Sequence, residues 1–386
     1  MRPSRIDQVV PSLGGRDAIG VHVILLRDVL RDLGFASDIW CMGAFPETRS
    51  MVRFTDDLPT RERPDTWWLY HLSSGSPVGD LIAARPEPKM VDYHNITPAH
   101  LFGGWVPWAT EEADAGLAQL ELFTGVSFFG FADSGFNALD LEGSGMPKGR
   151  TVVVPPLFDP VGLAAKRDAR LESDRRAERA GGGADWLFVG RVTPAKAQHD
   201  LVKALACYRQ EFDPLARLHL VGTSMGDDYP RALERYARRL GISDAVRLTG
   251  SVSEDELASY YRTSDVFVCA SEHEGFCIPL VEAMGFGIPV VAFDAGAIAE
   301  TAQNGALVLE DKSPLGFATA VDRVMNDRTL REMLVKNGRE RVDTFSITRG
   351  KERWAAAIEQ ATAAGLPATL SVGAAINADP TERVAP

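Results

Sequence analysis

Two glutamates eight positions apart, Glu274 and Glu282, lie in the stretch SEHEGFCIPLVEAMGFGIPVVAF, residues 271–293, between apolar runs that read as strands. A helix starting near Ile278 puts Pro279 in its first turn, where a missing N–H costs nothing. Glu274 then sits in the loop ahead of that helix, and Glu282 sits on its second turn. Free amides at such a helix start suit an anion, and Gly275 lets the backbone approach a ligand closely. A second constellation, VGRVTPAKAQHD, sends Arg191 out of a strand end and places Lys196 just before a helix. A guanidinium that grips two oxygens and an ammonium acting as a point charge together suit a diphosphate. An arbitrary E-x7-E is more often a helix cap and a solvated helix residue. Here the strand–loop–helix–strand setting makes it informative.

Near the start, Gly14 and Gly15 follow the first apolar run and precede a helix, so backbone amides there could also meet an anion. The segment YHNITPAH offers His94 at a strand end. The other histidines read as structural, with His273 notable only because it abuts Glu274. In sequence, no His, Cys, Asp and Glu grouping has metal-ligand spacing, no D-x-D occurs, and G-x-G-x-x-G is not present. The expectation is therefore no metal, no cofactor and no nicotinamide chemistry. Cys41, Cys207, Cys269 and Cys277 read as reduced core thiols.

With 41 Lys and Arg against 53 Asp and Glu, the net charge of -12 argues against nucleic acid as a partner. The N-terminus lacks a signal-peptide pattern and no long apolar run occurs, so the expected location is cytoplasmic, with peripheral contact at the inner membrane face left open.

These residues need strands and helices in alternation to hold them. Short apolar runs alternate with helical patterns in both halves, which predicts an α/β fold: two Rossmann-like doubly wound domains facing a central cleft. The first helix, near Ala18 to Leu33, is expected to bury Val21, Ile24, Leu25, Val29 and Leu33. The domains are read as residues 1–165 and 185–345. A charged, glycine-rich linker spans 166–184, a helix returning to the first domain spans 346–365, and a disordered tail spans 366–386.

Together the GG loop and DAIG-x-H, YHNITP, ADSGFN, VVPPLFD, VGR with Lys196, and the E-x7-E block resemble the retaining GT-B glycosyltransferases of the family-four group. The resemblance implies a nucleotide-diphosphate sugar as donor and an acceptor, as yet unidentified, on the first domain. It implies that Arg191 and Lys196 hold the diphosphate, that Glu274 contacts the donor sugar, and that Glu282 contacts the ribose. His94 would lie beside the transferred sugar and Gly15 near the phosphates or the acceptor. The loop residues Gly275, Phe276, Cys277 and Ile278 would complete the donor site. Cys277 departs from the family pattern, which often has glycine there. A sugar-nucleotide epimerase of the same architecture and a non-catalytic sugar-nucleotide binder are the rival readings. A dehydrogenase is the weakest.

Overall fold

The computed structural model describes residues 2–15 and 17–366. Apart from Leu366, the tail read as disordered lies outside them. The first domain carries strands β1 Arg5–Val9, β2 Ser12–Leu13, β3 Ile39–Cys41, β4 Gly43–Ala44, β5 Val52–Phe54, β6 Thr66–Leu72, β7 Lys89–Tyr93, β8 Ser127–Ala132 and β9 Thr151–Val153. Seven of them form one parallel sheet in the order β5-β3-β1-β6-β7-β8-β9, while β2 and β4 pair separately. Strands β6, β7 and β8 are buried along their whole length. That is expected for a parallel sheet covered on both faces. The covering helices are α1 Ala18–Asp32, α2 Pro77–Ala83, α3 Pro107–Val126 and α4 Gly135–Gly143.

The second domain repeats the plan with β10 Asp185–Val189, β11 Arg217–Val221, β12 Val246–Gly250, β13 Val266–Cys269, β14 Val290–Phe293 and β15 Ala306–Leu309. Their order, β12-β11-β10-β13-β14-β15, is doubly wound, with the direction of winding reversing beside β10. Ligands bind at the carboxyl ends of strands at such a switch point. Helices α5 Pro160–Ala165, α6 Ala169–Glu178, α7 Gln198–Glu211, α8 Asp228–Arg239, α9 Glu254–Thr263, α10 Ile278–Gly285, α11 Ile298–Ala302, α12 Pro314–Asn326 and α13 Arg328–Asp343 belong to this half. The last helix, α14 Ile347–Ala364, returns to the first domain, where Trp354 is fully buried and donates its indole N–H to the Pro155 carbonyl at 2.9 Å.

Two expectations need correction. The buried face of α1 is His22, Val23, Leu26, Val29 and Leu30, whereas Val21, Ile24 and Leu25 are only partly buried. The helix is apolar on most sides, so periodicity does not single out one face. The face carrying a histidine is buried because His22 finds polar partners inside. The charged segment 166–184 is not simply a solvated connection, because it contains α6, with Glu172 and Arg175 buried against the second domain. Arg175 Nε donates to Thr263 Oγ1 at 2.5 Å, Arg262 lies 3.4 Å from Glu172, and Arg179 lies 2.7 Å from Asp265. Paired charges can be buried where unpaired ones cannot.

Candidate functional site

At the carboxyl end of β10 the chain turns through Gly190, at φ +152°, into the exposed Arg191, whose carbonyl accepts a hydrogen bond from Gln198 Nε2 at 2.9 Å. A short 3-10 turn, Pro194–Lys196, then aims the Lys196 ammonium at Glu274 Oε1, 2.7 Å away. Burial opposes the charge on Lys196, but Glu274 outweighs it and raises the lysine pKa. Glu274 is fixed from behind, because its carbonyl accepts the Ala297 N–H at 2.8 Å. A side chain at Gly296, where φ is +60°, would place a Cβ 2.2 Å from that carbonyl oxygen.

Helix α10 starts at Ile278 with Pro279 in its first turn, behind Cys277 at φ +71°, and no side chain caps it. Pro279 has no N–H and the Leu280 N–H donates to the Cys277 carbonyl at 3.1 Å, so of the first turn the Ile278 amide is the one open to an anion beside Lys196. One turn on, Tyr261 donates its hydroxyl to Glu282 Oε2 at 2.7 Å. Burial raises the Glu282 carboxyl to about 7, against the lowering effect of that hydrogen bond. Phe276 points the other way, into aromatic contact with Phe158 and Phe345, and so anchors the loop rather than lining the cleft. Cys277 is buried beside Cys269, and that thiol contact followed by burial pushes its pKa well up.

The loop carrying Glu274 and Gly275 is seated directly on the first domain. A Cβ at Gly275 would lie 2.5 Å from Asn95 Cβ and 3.1 Å from Asn137 Nδ2, so only glycine permits this approach. Asn95, itself at φ +72°, donates to Asn137 Oδ1 at 2.8 Å. Nearby, Glu300 of α11 accepts from the amides of Gly135 and Phe136 at 2.8 and 3.3 Å, a carboxylate of one domain capping a helix of the other. Gly15 remains with its own domain, facing Glu47 and Thr48.

His94 is enclosed more tightly than its strand-end position suggests, with only 2% of its side chain exposed. Its Nδ1 faces Asp133 at 3.1 Å, and its Nε2 lies 3.0 Å from His71 Nδ1 and 3.3 Å from Asp92 Oδ2. Burial works against protonation, but Asp92 and Asp133 together hold the His94 pKa well above the ordinary imidazole value. His22 joins the group from α1, with Nε2 2.9 Å from Asp92 Oδ2 and Nδ1 accepting the Leu157 N–H at 2.9 Å. Sequence reading left His22 and His71 as structural and did not single out Asp92 or Asp133. It found no metal-ligand spacing, yet folding brings ligand atoms of His22, His71, Asp92 and His94 within 4.8 Å of one another. Among the described residues, no helix is long and apolar enough to cross a membrane.

Residues 170–341 match the family model described as glycosyl transferases group 1. D-inositol 3-phosphate glycosyltransferase of Geodermatophilus obscurus is 34% identical over 241 residues, covering 57% of this chain and 51% of that protein. GDP-mannose-dependent alpha-(1-6)-phosphatidylinositol monomannoside mannosyltransferase of Mycobacterium tuberculosis is 32% identical over 196 residues, covering 48% and 50%. The chain thus spans about half the length of the curated relatives it matches. HepE of Anabaena, solved with UDP and glucose, superposes with a TM-score of 0.71 at 18% identity, covering 92% of this chain and 99% of that one. Sucrose-phosphate synthase of Thermosynechococcus elongatus gives 0.70 at 21% identity, covering 94% and 100%. At these identities the structural likeness speaks for the fold. With the family match confined to residues 170–341 and the fold shared across both domains, the chain has GT-B architecture and its second domain is similar to the group 1 glycosyl transferases.

Proposed function

We propose that this chain transfers a sugar from a nucleotide-diphosphate sugar to an acceptor bound on the first domain, with retention of anomeric configuration. The observation that carries this reading is the Lys196–Glu274 pair, 2.7 Å apart, at the uncapped start of α10, on a loop seated against Asn95 and Asn137. Bond breaking at the anomeric carbon places negative charge on the leaving diphosphate and positive charge on the ring. Arg191, Lys196 and the amides of residues 275–278 stabilise the first, without a metal at the diphosphate. Glu274 orients the donor sugar through its hydroxyls and Glu282 binds the ribose. His94 stands behind the transferred sugar as a buried cation whose own domain fixes its ring. Retention rests on the family likeness. The relatives' names make inositol phosphates and phosphatidylinositol mannosides the first acceptors to try.

The test is product analysis with a panel of UDP- and GDP-sugars, with and without those acceptors. Acceptor-dependent release of nucleoside diphosphate together with a glycosylated product supports the proposal. Conversion of donor to its epimer without acceptor, or tight donor binding with no turnover under any pairing, contradicts it.

A further inference from the structure

We propose that Trp105, Trp108 and Glu112 form the acceptor subsite and that it takes an uncharged pyranose ring, so that the acceptor is itself a glycoside. This rests on the transfer reading above and names the class of its second substrate. Gly103 and Gly104 take φ of +55° and +73°, a left-handed pair that glycine adopts without strain and that turns the chain outward into Trp105. Trp105 is 42% exposed and Trp108 49%, although tryptophan is ordinarily well buried. Trp108 and Glu112 are four residues apart on α3, so they share one face of the helix.

That face lies at the cleft. Gly75, just past the carboxyl end of β6, donates its N–H to the Glu112 carbonyl at 2.8 Å, and a Cβ there would stand 2.5 Å from Ala115 Cβ. The first half of α3 is thereby held at the end of the sheet where ligands bind. From the second domain, Tyr229 of α8 meets the Trp105 ring in an edge contact, with centroids 5.8 Å apart. Met225 packs against the first-domain cluster that holds Phe102 and Val106, the two residues flanking the Gly103–Trp105 turn. Arg191 Nη1 reaches Met225 Sδ at 3.8 Å. The Arg191 charge also pulls the Glu112 pKa down, against the larger raising effect of burial. The subsite therefore opens beside the cation assigned to the donor diphosphate, where an acceptor hydroxyl must approach.

The side chains select the ligand. An indole face takes up the C–H face of a sugar ring, and a carboxylate accepts from ring hydroxyls. Helix α3 carries Glu111, Glu112, Asp114 and Glu121 and no Lys or Arg, which disfavours a phosphorylated ring or an anionic lipid surface. Single exposed apolar residues are ordinary on a surface, whereas two tryptophans beside a carboxylate at an interdomain cleft match the make-up of a ligand pocket.

The experiment measures binding rather than turnover. Methyl α-D-mannopyranoside, methyl β-D-glucopyranoside and myo-inositol 1-phosphate are each titrated into the full chain, with and without UDP or GDP, and saturation-transfer NMR reads the bound ring. The proposal expects a methyl pyranoside to bind more tightly than the inositol phosphate, and to weaken about tenfold in Trp105→Ala and in Glu112→Gln. Trp105→Phe keeps an aromatic face and should bind within about threefold of wild type, while the Kd of UDP or GDP stays within about twofold in every variant. No pyranoside binding in wild type overturns the proposal, whether or not the variants fold. Tighter binding of the inositol phosphate overturns it too, as does undiminished pyranoside binding in Trp105→Ala. A weakened UDP or GDP Kd in Trp105→Ala with pyranoside binding unchanged also overturns it, and would assign the indole to the donor base. Bound nucleotide without bound pyranoside refutes the subsite and leaves the transfer reading standing. Bound pyranoside that accepts no sugar from any donor supports the subsite and refutes the transfer reading.

Discussion

Replacing Glu282 by glutamine should make the protein respond differently to pH. Burial holds the Glu282 carboxyl at about 7, against an ordinary value of 4.5. Between those values the folded state keeps a proton that the unfolded chain has released. Wild type therefore loses stability as pH rises through the window, with the loss complete above about 7. At ~1.4 kcal/mol per pH step the loss is about 3 kcal/mol at most. Because Glu282 is only partly buried by exposed area, solvent on its open side reduces this to about 1–2 kcal/mol. Glutamine can accept the Tyr261 hydroxyl without ever ionising, so the variant lacks this component. Urea or thermal melts at pH 5 and pH 8 provide the assay. The difference between variant and wild type should shift in favour of the variant by about 3–6 °C on going from pH 5 to pH 8. Groups other than Glu282 titrate in both proteins and cancel. Parallel pH profiles would refute the claim that burial, rather than the Tyr261 hydrogen bond, sets the state of this carboxyl.

Gly275→Ala drives a Cβ to within 2.5 Å of Asn95 Cβ, so kcat/KM should fall about tenfold or more. The double variant with Asn95→Gly should recover part of that loss in the same kinetic assay. Glu274→Gln removes the partner of Lys196 and should lower kcat more than it raises KM, whereas Glu282→Gln should do the reverse, as steady-state kinetics would show. Glu300→Gln weakens the cap on the α4 amides, and small-angle scattering should report a larger radius for the donor-free protein. Added Mg²⁺ or Mn²⁺ should change the initial rate by less than about twofold, since Arg191 and Lys196 are assigned the charge on the diphosphate.

Local patterns were legible in the sequence wherever their cause is local. Helix α10 begins at Ile278 with Pro279 in its first turn because proline, the preceding loop and the apolar run agree within a few residues. Both parallel sheets follow from alternating apolar runs and helices. The histidine cluster was not legible, because His22 and Asp92 are 70 residues apart and His71 and His94 are 23 apart. Only the order of β1, β6, β7 and β8 across the sheet gathers them, and strand order does not appear in spacing. The same holds for α6, where composition announces solvent exposure but Glu172 and Arg175 find partners on α9 and β10. Phe276 lies inside the conspicuous motif, yet packs away from it because Phe158 and Phe345, distant in sequence, complete its aromatic pocket.

The central claim is that Arg191, Lys196 and the start of α10 hold a nucleoside diphosphate. Calorimetric titration of UDP and GDP into wild type, Arg191→Ala and Lys196→Ala tests it most directly. A charged hydrogen bond to phosphate is worth about 1.5–3 kcal/mol, so each substitution should weaken binding of the preferred diphosphate by about tenfold to a hundredfold. Binding of the corresponding nucleoside should change little. If both variants bind the diphosphate as tightly as wild type, the phosphate site lies elsewhere and the account is wrong.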